Sequence, residues 1–316
     1  MKPDMRVSFC GFDLVNPVLA ASGTFGYGVE FEDIVRFKKI GGFVTKGISP
    51  EPMAGNQAPR LIETAAGMIN AIGLQNIGVE RFLLEKLPAL RHYPRCAVIV
   101  NVFGATIDDY VAVIARLNDA EGIAAYELNA SCPNTKHGGI AFGSDADSLF
   151  DLVSRAKARA TRPLIVKLSP NVTSIAHMAR TAQRAGADAL SLVNTFLALS
   201  IDTETRRPRL SNVTGGLSGP AIKPIAVRMV WEAAKAVTIP ILGLGGIVTP
   251  EDAVEFLLAG ATAVQIGTAS YADPRATERI AVGLEQWCAR HHVARVADLS
   301  GAMEVAPPAL SEKPVI

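Results

Sequence analysis

The sequence predicts an α/β chain folded as a (β/α)8 TIM barrel with inserted loops over the C-terminal face of the strands. Three observations predict it. First, short blocks of near-continuous apolar residues recur, such as A-V-I-V before Asn101, L-I-V before Lys167 and I-L-G-L at 241–244. Runs of that kind mark parallel strands buried on both faces. Second, amphipathic segments separate these blocks, so strands and helices alternate eight times. Third, most strand-to-strand intervals are about 23–40 residues, and two are near 50. Both excesses follow a strand, on the face where barrel enzymes build their sites. A doubly wound open sheet is the rival arrangement.

Taken in order, strands are expected to end near Ala21, Lys46, Phe103, Asn129, Leu168, Val193, Gly243 and Gly267. Helical periodicity covers 108–119, 148–160, 174–185, 223–236, 250–259 and 275–290. The fifth of these opens on Thr249-Pro250-Glu251-Asp252, an N-cap threonine, a proline at the first position and acids in the first turn. The long excursions, 47–95 and 195–219, are rich in Pro, Gly and Asn and read as ordered loops. Residues 1–305 are expected to form one barrel domain. The tail 306–316, A-P-P-A-L-S-E-K-P-V-I, is expected to be flexible.

Composition narrows the function. The 316 residues carry 31 Lys and Arg against 30 Asp and Glu, a net charge of +1. That balance argues against a broad basic surface for nucleic acid. Hydrophobic residues make up 49% and charged residues 19%, which excludes disorder for the bulk. No apolar run reaches the ~18 residues of a membrane span, and the N-terminus lacks the apolar stretch of a signal peptide. The four cysteines, Cys10, Cys96, Cys132 and Cys288, form no C-x-x-C pair. A disulfide scaffold and a metal or iron–sulfur site in this chain are therefore not expected. A reducing, cytoplasmic setting is.

The residues at the strand ends describe the chemistry. In order they are Ser22, Lys46, Asn101, Asn129, Lys167, Asn194, Gly245-Gly246 and Gly267-Thr268. The glycine turns follow strands seven and eight, where barrels bind phosphate through backbone N–H groups and a helix N-terminus. They are not a dinucleotide motif, because Val248 stands where G-x-G-x-x-G needs its last glycine. Amides recognise planar donor–acceptor rings, and ammonium groups stabilise carboxylates or a ring anion. Flavin mononucleotide (FMN) fits this set better than a sugar phosphate.

The densest polar segment is E-L-N-A-S-C-P-N-T-K-H-G-G at 127–139. Cys132, set among Asn129, Ser131, Asn134 and Lys136, has the surroundings of a working thiol, either nucleophile or proton acceptor. A Cys132–His137 pair of the cysteine-hydrolase kind has no support in the spacing. No H-E-x-x-H and no paired carboxylates occur at strand ends, which disfavours metal hydrolases and glycosidases.

These stretches resemble the class 1 dihydroorotate dehydrogenases, and class 1B in particular. The resemblance is carried by K-G-I-S at 46–49, G-N-Q-A-P-R at 55–60, G-M-I-N-A-I-G-L-Q-N at 67–76, N-V-F-G at 101–104 and N-A-S-C-P-N-T-K-H-G-G at 129–139. V-K-L-S-P-N at 166–171, N-T at 194–195, G-G-L-S-G at 215–219, G-G-I at 245–247 and Q-I-G-T at 265–268 complete it, in order over almost the full length. The cysteine motif alone is shared with dihydropyrimidine dehydrogenases. Membrane-linked class 2 enzymes typically carry Ser at the position of Cys132.

The resemblance implies FMN-dependent oxidation of (S)-dihydroorotate to orotate in pyrimidine biosynthesis, with Cys132 as the base. It implies substrate contacts from Lys46, Asn70, Ala71, Ile72, Gly73, Leu74, Asn129, Asn194 and Thr195. It implies FMN contacts from Ser22, Thr45, Lys46, Asn101, Asn129, Lys167, Val193, Gly219, Gly245, Gly246, Gly267 and Thr268. Gly138 and Gly139 would hinge the Cys132 loop. Class 1B members pair a homodimer of such chains with a subunit carrying FAD and a [2Fe–2S] cluster, as a heterotetramer that passes electrons to NAD. This chain has neither a cysteine cluster nor a dinucleotide motif, so NAD reduction would take place on the partner. The alternatives are the fumarate-using class 1A, a dihydropyrimidine dehydrogenase-like enzyme, and a non-redox barrel that binds a phosphorylated metabolite.

Overall fold

The computed structural model describes residues 2–130 and 142–305. Eight parallel strands close into a barrel: β1 Val18–Ala20, β2 Gly42–Val44, β3 Ala97–Val102, β4 Ala125–Asn129, β5 Leu164–Lys167, β6 Ala189–Leu192, β7 Ile241–Leu244 and β8 Ala263–Ile266. Closure is made by β8 pairing with β1, Val264 opposite Val18 and Gln265 opposite Leu19. That pairing excludes the open sheet. The strands are short and almost wholly buried, because helices cover their outer faces and side chains fill the interior.

The expected helices form in their expected places. They are α1 Ile107–Leu117, α2 Ala146–Arg159, α3 Ile175–Arg184, α4 Lys223–Ala236, α5 Pro250–Leu258 and α6 Ala276–Arg290. Local chemistry starts four of them. Thr106 and Asp109 form a capping box on α1, and Thr249 and Asp252 form one on α5. Asp145 and Ser174 accept backbone N–H bonds at the starts of α2 and α3. The N-terminal hairpin, Val7–Phe9 with Phe12–Leu14, lies at the other end of the barrel, where Cys10 Sγ contacts the carbonyl of Asp188 ahead of β6 at 3.7 Å.

The two long excursions are more than loops. Leu61–Thr64 and Gly67–Asn70 from the first join Phe196–Leu199 and Thr214–Ser218 from the second in one four-stranded antiparallel sheet. Gly216 stands opposite Asn70 in the central pair. A small core of its own, Ile69, Ala71 and Leu210 packed by Ile62, Ala198 and Leu217, holds the sheet together. Among the described residues, no helix is long and apolar enough to cross a membrane.

Candidate active site

A cavity of about 480 Å3 opens at the C-terminal ends of the barrel strands, beneath the four-stranded sheet. Every barrel strand delivers its expected end residue to the wall. Ser22, Lys46, Asn101, Asn129, Lys167, Val193, Asn194, Gly245, Gly246, Gly267 and Thr268 line it. Asn70, Ala71, Ile72, Gly73, Leu74 and Thr195 enter from the excursions.

The floor is polar and closed. Lys167 Nζ donates to Ser22 Oγ at 3.0 Å and lies 3.6 Å from Glu127 Oε1. Asn101 Nδ2 donates to the same Glu127 oxygen at 2.7 Å, and Gln265 Nε2 to the other at 2.8 Å. The side chains of Lys167 and Glu127 are 5% and 0% exposed, so each charge depends on the other and on these amides. Strand registry produces this meeting. Asn101 stands opposite Glu127, and Asn129 opposite Lys167, with all four side chains on inward-facing positions.

Hydrogen bonds hold the cavity walls. Asn194 Nδ2 reaches Asn129 Oδ1 at 3.5 Å, and Asn194 Oδ1 accepts from the amide of Thr195 at 2.9 Å. Asn70 Nδ2 donates to the carbonyl of Gly216 at 3.3 Å. Tyr110, buried on α1, donates its hydroxyl to the carbonyl of Asn129 at 2.8 Å and fixes the end of β4. Asn56 secures the Ala71–Gly73 stretch from behind, donating Nδ2 to the carbonyl of Ala71 at 2.9 Å.

Lys46 is the second ammonium at the cavity. It makes no ion pair among the described residues. Burial pushes its pKa below the usual lysine value, Arg60 adds to that, and Glu30 opposes it. A half-buried cation in that state gains most from an anionic ligand.

At the opposite wall the backbone comes close. Gly246 has φ +82°, and a Cβ there would lie 2.7 Å from the carbonyl oxygen of Gly219. Only glycine suits the turn. One expectation changes here. The start of α5 does not present free N–H groups to a ligand, because the Asp252 carboxylate accepts from Val248 and Thr249 at 2.9 and 2.8 Å. Lys223 Nζ in turn binds Asp252 at 2.6 Å.

Two of the residues expected at FMN do not line the cavity. Thr45 is fully buried, its Oγ1 accepting from the amide of Asn101 at 3.1 Å. Gly219 packs against Gly67 and supports Gly246 from below. Cys132 lies outside the described residues, as do Gly138 and Gly139. Sequence reasoning missed Glu127 and Gln265. Their signal was available: each is a polar residue in the middle of an otherwise apolar strand. Among the described residues, no group of His, Cys, Asp or Glu side chains could hold a metal ion.

Comparison with known proteins agrees with the geometry. The family model for dihydroorotate dehydrogenase matches residues 4–287. A Solibacter usitatus protein, provisionally named dihydroorotate dehydrogenase A (fumarate), is 58% identical over 304 residues, covering 96% of this chain and 100% of the relative. The dihydroorotate dehydrogenase B (NAD(+)) catalytic subunits of Pelobacter propionicus and Geobacter sulfurreducens are 54% and 53% identical, again over 96% of this chain, and over 100% and 99% of their own lengths. The crystal structure of the dihydroorotate dehydrogenase of Eimeria tenella in complex with ferulenol shares the fold, with a TM-score of 0.78 at 24% identity, covering 95% of this chain and 88% of that one. With the match running through every barrel strand, this chain belongs to the dihydroorotate dehydrogenase family of flavin-dependent oxidoreductases.

Proposed function

We propose that this chain is the FMN-holding catalytic subunit of a cytoplasmic, NAD-linked dihydroorotate dehydrogenase. The observation that carries the reading is the cavity floor. A buried ammonium, Lys167, stands with the amides of Asn101 and Asn129 where a planar anionic ring would lie. The cavity volume is in the range of cofactor sites, and the Gly245-Gly246 and Gly267-Thr268 turns suit a phosphate tail.

The chemistry FMN supplies when bound is acceptance of the hydride that leaves carbon 6 of dihydroorotate. The chain does the rest. Cys132 removes the proton from carbon 5, which needs a base partly ionised near neutral pH and held at contact distance. Lys46 holds the substrate carboxylate. Asn70, Asn129, Asn194 and Thr195 orient the pyrimidine ring through its donors and acceptors. The sheet formed by the excursions keeps water from the reacting face.

Electrons leave through a partner subunit that carries FAD and a [2Fe–2S] cluster, in a heterotetramer built on a homodimer of this chain. The words NAD(+) and catalytic subunit in the names of the Pelobacter and Geobacter relatives support a partner subunit and NAD as acceptor. The name of the Solibacter relative favours a second reading, with fumarate as acceptor.

One experiment covers both questions. The FMN-loaded chain should bleach anaerobically on addition of dihydroorotate. Cys132→Ala should keep the flavin and bleach more slowly by roughly 10²–10⁴-fold, the usual loss for a general base. Absence of bleaching in the wild-type protein would overturn the reading, and wild-type rates in the variant would remove Cys132 from it. Reoxidation by fumarate alone would select the second reading. Reoxidation by NAD only with a co-purified partner selects the first.

A further inference from the structure

Across the eight barrel strands only two residues carry a charge, Glu127 on β4 and Lys167 on β5. They form an ion pair, yet they are not equivalent. Lys167 lines the cavity, and so do Asn101 and Ser22. Glu127 does not: it lies beneath them, fully buried. Its oxygens are taken by Asn101, Gln265 and Lys167. Whatever Glu127 does for the reaction, it does through Lys167 and Asn101.

The surroundings of Lys167 leave no other counter-charge among the described residues. On one flank β6 supplies Ser191 and no titratable group. From β1 comes Ser22, from β3 Asn101 and from β8 Gln265, all neutral. Tyr126 on β4 turns outward to Asn118 and Arg162. Among the described residues, the remaining titratable groups at the cavity wall are the ammonium of Lys46 and the phenol of Tyr271, which burial pushes up. A lone buried amine in that setting would lose its proton.

We propose that Glu127 is a positioning residue whose charge keeps Lys167 protonated, so that a fixed cation faces the flavin in both redox states. The inference rests on the flavin reading above. With Glu127 in place, two electrons and one proton convert bound flavin to its reduced anion, and Lys167 neither gains nor loses a proton. In Glu127→Gln the amine is neutral beside oxidised flavin and binds a proton when the anion forms. Reduction then takes up two electrons and two protons.

The test is the midpoint potential of the FMN-loaded protein, titrated with dithionite against a reference dye between about pH 6 and about pH 9. The wild-type potential should fall on one straight line with pH. Glu127→Gln should show a steeper section, in which the ratio of reduced to oxidised flavin changes by a further tenfold per pH unit, about 30 mV for two electrons. Glu127→Asp should follow the wild type, and Glu127→Gln with Lys167→Met should lose the steeper section. Parallel lines for wild type and Glu127→Gln would reduce Glu127 to a scaffold and overturn the proposal. Should Glu127→Gln fail to fold, wild type and Lys167→Met decide. Straight lines of equal slope support the proposal, and a break in the wild type that vanishes in Lys167→Met overturns it, since Lys167 would then titrate beside an intact Glu127. A wild-type chain that takes up no FMN overturns the functional reading and the inference together.

Discussion

Lys46 sits just past β2, half-buried and without a carboxylate partner among the described residues. Burial holds its pKa below the usual lysine value. The sign of the pH effect follows. Below that lowered pKa the ammonium is present and a substrate carboxylate binds, and as pH rises through it the partner is lost. KM for dihydroorotate should therefore be flat near neutrality and climb on the alkaline side. Lys46→Met should raise KM about 10–100-fold, as for loss of a charge-assisted hydrogen bond worth ~1.5–3 kcal/mol, and should abolish the alkaline step. Lys46→Arg should move the step upward. Steady-state KM across pH checks this, and an unchanged KM in Lys46→Met would free the carboxylate from Lys46. At this scale the sequence was most informative where a polar residue ended an apolar strand. Ser22, Lys46, Asn101, Asn129, Lys167 and Asn194 all line the cavity for that reason. Thr45, expected at FMN from the resemblance alone, is buried behind the cavity wall with its hydroxyl on the amide of Asn101. Glu127 and Gln265 were missed because they lie within strands, below the level that strand ends reveal.

The excursion sheet brings Asn70, Gly215 and Gly216 to the cavity wall. Gly216 lies between Asn70 and Leu197 in its central strand. A Cβ at Gly216 would stand 2.0 Å from Thr195 Oγ1 and 2.6 Å from Thr195 Cβ, so no rotamer of the threonine relieves the overlap. Gly216→Ala should displace Thr195 and the carbonyl that Asn70 holds, at little cost to the barrel. A shift of that kind next to a reacting ring lowers kcat/KM by about 10²-fold. The measurement is kcat/KM together with the flavin absorbance, which should stay unchanged, and full activity would show that Thr195 does not orient the ring. The sequence located both excursions and their face of the barrel, but not their pairing. The central pairing joins the two excursions across 146 residues and leaves no local period, and both strands of that pair carry glycine.

At the scale of the whole molecule, the barrel is belted by ion pairs between covering elements. Burial raises the Asp252 carboxyl, but the Lys223 ammonium and the Val248 and Thr249 amides outweigh it and leave the pKa lowered. Glu278 is likewise lowered, with Arg36 outweighing burial. Carboxyls lowered in the folded state stabilise it above their unfolded pKa of about 4, and that contribution is lost as pH falls through the folded value. Urea midpoints should be level between about pH 6 and about pH 8 and should decline below about pH 4.5. Asp252→Asn should flatten part of the decline, and an equally steep loss in that variant would assign acid sensitivity elsewhere. Barrel closure itself was legible from the rhythm of apolar blocks, whose ends fall within one or two residues of the observed strands. The excursion sheet adds a consequence in time. Asn70 and Gly216, bonded across it, are 146 residues apart in the chain. During synthesis the first half of the substrate wall must wait, exposed and unpaired, until the sixth strand and most of the second excursion have emerged. The barrel can begin to assemble from neighbouring units, but the wall of its mouth can be completed only late in synthesis.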